Sequence, residues 1–163
     1  MKIIRITFRE IDYYIISSKL LSLSDNNIKL IYPVRNIIRN LLTNCIIMTN
    51  EKLLKLNREL FLMIEERIDI DLLTRLYSTQ LITKGEKHLL DNKRLYYKLL
   101  RKIVTDGQKN GELTKEMSVN EIVKLYAICE RALIYDWCLC NGEYSLSDYA
   151  KKTMPIFLSK IIS

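Results

Sequence analysis

Apolar residues in this chain recur mostly at intervals of three and four, and only four glycines and two prolines interrupt 163 residues. Side chains at those intervals share one face of an α-helix, whereas strands require alternation. The expected class is all-α, a bundle of about six helices. At 48% hydrophobic content, the chain can bury a sizeable core without a second globular domain.

The clearest punctuation is Gly107-Gln108-Lys109-Asn110-Gly111-Glu112-Leu113. Gly111 follows a long periodic segment, as a helix-terminating glycine does, because it takes the left-handed conformation without steric cost. Gly107 stands one turn earlier, inside the pattern, where it costs about 1 kcal/mol relative to alanine. A close approach by another helix is the expected reason. Ser118-Val119-Asn120-Glu121 then matches a capping box, in which serine hydroxyl and glutamate carboxylate satisfy backbone donors reciprocally. The spacing predicts a helix over 118–140.

Other boundaries follow the same logic. Pro33 suits a first turn, and Val34, Ile37, Ile38, Leu41, Leu42, Cys45 and Ile46 continue a stripe towards Thr49-Asn50. A second helix carries Leu53, Leu56, Leu60, Phe61 and Ile64, and Asp69-Ile70-Asp71 closes it and opens the third with negative charge. The third passes Leu72, Leu73, Leu76, Tyr77 and Gln80 and stops near Lys84-Gly85; the fourth starts at about Glu86 or Asp91. The 118–140 helix is apolar on more than one side: Ile122, Tyr126, Cys129, Leu133, Trp137 and Cys140 form one stripe, and Val123, Ala127 and Ile134 another. Such a helix must be covered twice. The last helix begins at Ser145 or Ser147, and Pro155 is predicted to kink it. Residues 1–32 hold no sustained pattern.

The formal net charge is +7, and residues 1–50 contribute +4 of it. That bias suits a phosphate-facing segment, although a solvated surface explains it equally well. Cys45, Cys129, Cys138 and Cys140 contain no Cys-x-x-Cys pair, and His88 is the single histidine. Zinc of the usual kind is not expected, and the thiols read as free in a reducing cytoplasm, with Cys138-x-Cys140 as a redox or soft-metal pair the alternative. No apolar run reaches the roughly 18 residues of a membrane span. Neither a glycine-rich phosphate loop nor a recognisable nucleophile arrangement occurs, so no enzymatic activity and no cofactor are expected.

Taken in order, the Gly107 to Leu113 turn, the helix bearing Ile134-Tyr135-Asp136-Trp137, the Asn141-Gly142-Glu143-Tyr144 loop and the final Met154-Pro155-Ile156-Phe157-Leu158 helix resemble the ligand-binding and dimerisation domain of TetR (tetracycline-repressor) family regulators. The resemblance covers about 33–163. Upstream, Tyr13-Tyr14-Ile15-Ile16-Ser17-Ser18-Lys19-Leu20-Leu21 resembles the close of that family's helix-turn-helix, with Ile16 where phenylalanine is usual, and Ile6-Thr7-Phe8-Arg9-Glu10-Ile11 resembles its second helix. The recognition helix expected between them is missing. Residues 1–32 thus read as a remnant of a DNA-binding domain. Tyr13, Tyr14 and Lys19 would retain phosphate contact only, and DNA binding by this chain is expected to be impaired.

The resemblance implies a cytoplasmic homodimer that senses a small-molecule effector, with the last two helices at the two-fold interface. Ile134, Cys138, Tyr149, Phe157, Leu158 and Ile161 are the candidate interface residues; burial of the same surface within one chain is the alternative. Candidate pocket residues are Phe61, Met63, Tyr77, Tyr96, Tyr126, Cys129, Glu130 and Trp137, aromatic and polarisable groups of the kind small-molecule pockets use. Plain core packing is the competing role for each. Glu130 sits beside an apolar stripe, where an unpaired carboxylate is costly. It would face a cationic ligand, a nearby arginine or solvent, and an aromatic or cationic effector is expected. Two further readings stay open: a module that sequesters an intact homologue, and a degraded regulator without DNA binding.

Overall fold

A computed structural model describes residues 47–162. The expectations for residues 1–32, including Tyr13, Tyr14 and Lys19, and for a helix beginning at Pro33 lie outside the described residues. Those described form an all-helical domain: α1 (Thr49–Arg67), α2 (Ile70–Ile82), a short 3-10 turn (His88–Leu90), α3 (Leu95–Lys109), α4 (Val119–Leu139) and α5 (Leu146–Leu158). Helix α1 packs on α3 and α5, while α4 packs on α2, α3 and α5. Leu53, Phe61, Leu73, Leu100, Ile122, Tyr126, Leu146 and Met154 are fully enclosed between them. No helix among the described residues is long and apolar enough to cross a membrane.

The Gly107 to Leu113 stretch is a joint. Helix α3 ends in a Schellman motif: Glu112 N–H donates to Gly107 O at 2.8 Å and Gly111 N–H to Gln108 O at 3.3 Å, with Gly111 at φ 75°. The Gln108 amide holds the following loop through Thr114 O and Met117 O, both at 2.7 Å. The Glu112 carboxylate accepts the Thr49 backbone N–H, which caps α1 from another part of the chain. That bond holds the Glu112 carboxyl below its usual range. Leu113 is buried and pairs with Ile162 in an isolated antiparallel bridge, and Thr114 N–H donates to Ile161 O at 2.9 Å.

Helix α4 starts where expected, with both halves of the Ser118–Glu121 capping box formed. Asp69 caps α2 by accepting Leu72 N–H at 3.0 Å, and Ser145 caps α5 by accepting Asp148 N–H at 3.2 Å. Helix α3 corrects the expectation of a start at Glu86 or Asp91. The chain first makes the 3-10 turn, whose Leu89 carbonyl accepts the Tyr97 hydroxyl at 3.0 Å, and only then enters α3 at Leu95. Helix α5 runs through Pro155 and ends three residues later, at Leu158.

Candidate functional site

Tyr126, Glu130 and Trp137 occupy neighbouring rows of α4, so an amphipathic helix of this register points all three inward. Glu130 is 4% exposed, the one buried acid among the described residues. One carboxylate oxygen accepts the Asn57 side-chain amide of α1 at 3.0 Å, and the other accepts the Tyr96 hydroxyl of α3. The Tyr126 hydroxyl donates to Leu53 O of α1 at 2.8 Å and stands near enough to Glu130 to affect its titration. The group therefore ties α1, α3 and α4 through side-chain hydrogen bonds.

Burial dominates the electrostatics. It pushes the Glu130 carboxyl up to about 7, against the opposing effects of the Tyr96 and Asn57 donors and the Arg131 charge. The Tyr96 and Tyr126 hydroxyls are raised well above their usual range, by burial first and then by the Glu130 charge. Burial likewise lifts the Cys129 thiol to about 11, with Glu130 adding to it. A thiol so shifted is a poor nucleophile at neutral pH.

Glu130 faces a cavity of about 70 Å³ lined by Leu60 and Ile64 of α1, Leu73 and Tyr77 of α2, Leu89, Arg94 just before α3, Tyr96 and Tyr97 at its start, and Ala127, Arg131 and Ile134 of α4. The Arg131 guanidinium donates to the Tyr97 hydroxyl at 2.9 Å, and the Arg94 guanidinium stands 5.8 Å from the Tyr97 ring centre. At about 70 Å³ the cavity is about half the ~150 Å³ that accommodates benzene. Tyr77, Leu89 and Arg131 also border an open groove of about 550 Å³, floored by Ile128, Ala132 and Tyr135 on the outer side of α4. These three residues line both the cavity and the groove.

The candidate pocket residues divide. Tyr77, Tyr96 and Glu130 line the cavity. Phe61, Tyr126 and Trp137 are core: Phe61 is wholly enclosed, Tyr126 meets the site only through its hydroxyl, and Trp137 donates its indole N–H to Tyr144 O at 2.7 Å. Met63 and Cys129 are half-buried and do not border the cavity. Asn57 was not among the expected residues. A signal for it was present, since it is the polar member of the i, i+4 row Leu53-Asn57-Phe61, whose other two members are fully enclosed. Tyr97 was signalled too, on the buried α3 row with Leu100 and Val104, whereas Arg94, just before that helix, gave no periodic signal.

The residues expected at a two-fold contact also divide. Ile134, Cys138, Leu158 and Ile161 are buried within this chain, Phe157 is half-buried, and Tyr149 is exposed. Cover for the Val123-Ala127-Ile134 stripe comes from the chain's own helices. A further stripe remains open on the opposite side of α4: Ile128, Ala132, Tyr135 and Leu139, accompanied by Tyr149 and Ile156 on α5.

A family model described as YsiA-like protein, C-terminal region, a TetR C-terminal family, matches residues 29–160. Comparison with curated proteins and with solved structures gives no match. The matched span contains every described helix and the whole Glu130 cavity, and with most of its length so matched, the chain belongs to the YsiA-like C-terminal-region family of TetR-type regulators.

Proposed function

We propose that this chain is the effector-sensing and dimerisation part of a TetR-type transcriptional regulator, with the cavity around Glu130 as its sensing site. The observation that carries this reading is a buried carboxyl at a cavity to which four helices contribute, held by hydrogen bonds from two of them. Enclosing an acid costs several kcal/mol unless its partners compensate, and a plain core has no use for it. A positively charged or hydrogen-bonding aromatic effector answers both the carboxyl and the Tyr77, Tyr96 and Tyr97 rings. It gains room when Tyr77, Leu89 and Arg131 part and the cavity joins the groove outside.

A thermal-stability panel of aromatic and organic-cation compounds tests this. A binder at a hundredfold excess over its Kd adds about 2.7 kcal/mol, a rise of several degrees in Tm, and Glu130→Gln should abolish that rise. An unchanged Tm across the panel would sink the sensing role.

Dimerisation is assigned to the open stripe of α4 and α5. Leu139 is 63% exposed in the single chain, so Leu139→Glu should leave the fold intact. The wild-type chain is expected to sediment as a dimer at micromolar concentration and the variant as a monomer. A monomeric wild type overturns this assignment.

A further inference from the structure

Glu130 is placed to do more than hold a ligand. Its two carboxylate oxygens have partners of different kinds. The Asn57 amide nitrogen, at 3.0 Å, can only donate, whereas the Tyr96 hydroxyl on the other oxygen can donate or accept. The Tyr126 hydroxyl, which Glu130 and Tyr96 both influence electrostatically, donates to Leu53 O at 2.8 Å.

This chain of groups accommodates a proton without moving a heavy atom. With Glu130 ionised, Asn57 and Tyr96 both donate to it. With the oxygen facing Tyr96 protonated, the new O–H donates to the Tyr96 oxygen, and Tyr96 turns its own hydrogen off the carboxyl, towards the cavity it lines. Tyr126 keeps its bond to Leu53 O. The carboxyl retains hydrogen-bonded partners in either state, so neither carries the penalty of an orphaned buried group.

We propose that Glu130, Asn57 and Tyr96 form a proton-linked junction between α4, α1 and α3, in which the protonation state of one enclosed carboxyl sets the direction of its hydrogen bond with Tyr96. The junction regulates the sensing site proposed above: a cationic group in the cavity requires the ionised carboxyl, so its arrival expels the proton. The titration itself does not depend on that reading.

The groups around the carboxyl decide where it titrates. Tyr77 from α2, Tyr96 and Tyr97 from α3 and Tyr126 from α4 surround it; burial raises Tyr77, Tyr96 and Tyr126, so these do not ionise near neutrality. The Cys129 thiol is raised too. Asn57 of α1 carries no charge in either state. Arg131, and Arg94 at the far wall, supply positive charge, and Arg131 partly offsets the burial that favours the neutral acid. The balance lies near neutrality.

The test is carbon-13 NMR of the glutamate carboxyls in the full chain between pH 4 and 9. One resonance, absent from Glu130→Gln, should titrate near pH 7. In Tyr96→Phe, which removes a donor to the ionised form, the midpoint should move upward, a readout that a merely structural tyrosine would not shift. Titration of every glutamate below pH 5.5, or a midpoint unmoved in Tyr96→Phe, overturns the proposal. If Glu130→Gln does not fold, the Tyr96→Phe shift makes the assignment.

Thermal unfolding gives an independent reading. A carboxyl raised from 4.5 to about 7 on folding binds more protons folded than unfolded between those values. Its stabilising contribution is complete below pH 4.5 and is lost as pH rises through 7. The Tm of the wild type relative to Glu130→Gln should therefore fall from pH 5 to pH 8, and parallel profiles overturn the junction. A chain that titrates near neutrality but binds none of the effector panel retains the junction and loses the sensing role.

Discussion

Phe61→Ala should lower the stability of the folded chain by about 3–5 kcal/mol, the range for emptying a fully enclosed aromatic site. Phe61 has no exposed surface, lies on the face of α1 turned into the core and does not line the Glu130 cavity. The loss combines the transfer free energy of the ring with a void that α3 and α5, packed on α1, fill only in part. Typical domains hold about 5–15 kcal/mol in total, so the variant would give up a large share. Urea unfolding measures it directly. The midpoint should drop with an unchanged slope, since the surface exposed on unfolding stays nearly the same. A loss under about 1 kcal/mol accompanied by altered effector affinity would instead make Phe61 part of the ligand site.

Phe61 also shows where sequence reading reached its limit. Its period placed it on an inward face, and that is where it lies, but aromatic character does not distinguish a ring that packs from a ring that lines a cavity. Trp137 and Tyr126 were joined to the pocket for the same reason, and both belong to the core. Glu130 was more legible because its cost in an apolar row is chemical, not merely geometric. Asn57 carried the same signature in a row with Leu53 and Phe61, and its bond to Glu130 spans 73 positions of sequence. Each was a buried polar residue awaiting a partner that only folding could bring.

Helix starts divide along the same line. The starts of α2, α4 and α5 are encoded locally, by Asp69, Ser118 and Ser145 side chains that cap their own first turns. Neither Met48 before α1 nor Arg94 before α3 makes a side-chain cap. The first free donor of α1 is satisfied by Glu112, far along the chain, and α3 waits for the 3-10 turn to end. The residues expected at a two-fold contact divide for a related reason. The apolar stripes of α4 have no label for which is covered from within, and α2 claimed the one around Ile134, leaving Ile128, Tyr135 and Leu139 outside.

Gly107→Val should cost about 3 kcal/mol, the upper part of the usual range for overpacking. An added Cβ alone would stand 2.6 Å from Thr49 Cγ2, 2.8 Å from Thr49 Oγ1 and 3.0 Å from Leu113 Cδ1. Thr49 cannot withdraw easily. It is 2% exposed, and its N–H is held by Glu112, five positions beyond the glycine. Gly107→Ala sets the same contact against the roughly 1 kcal/mol that alanine adds within a helix, so its net loss should be about 1 kcal/mol. The decisive measurement is a double-mutant cycle. Thr49→Ala removes both of the closest atoms, so Gly107→Ala in that background should become neutral or stabilising, giving a coupling of about 1–2 kcal/mol. Additive effects would mean that α1 and the end of α3 are not locked together here, and that the glycine serves only the local course of its own helix.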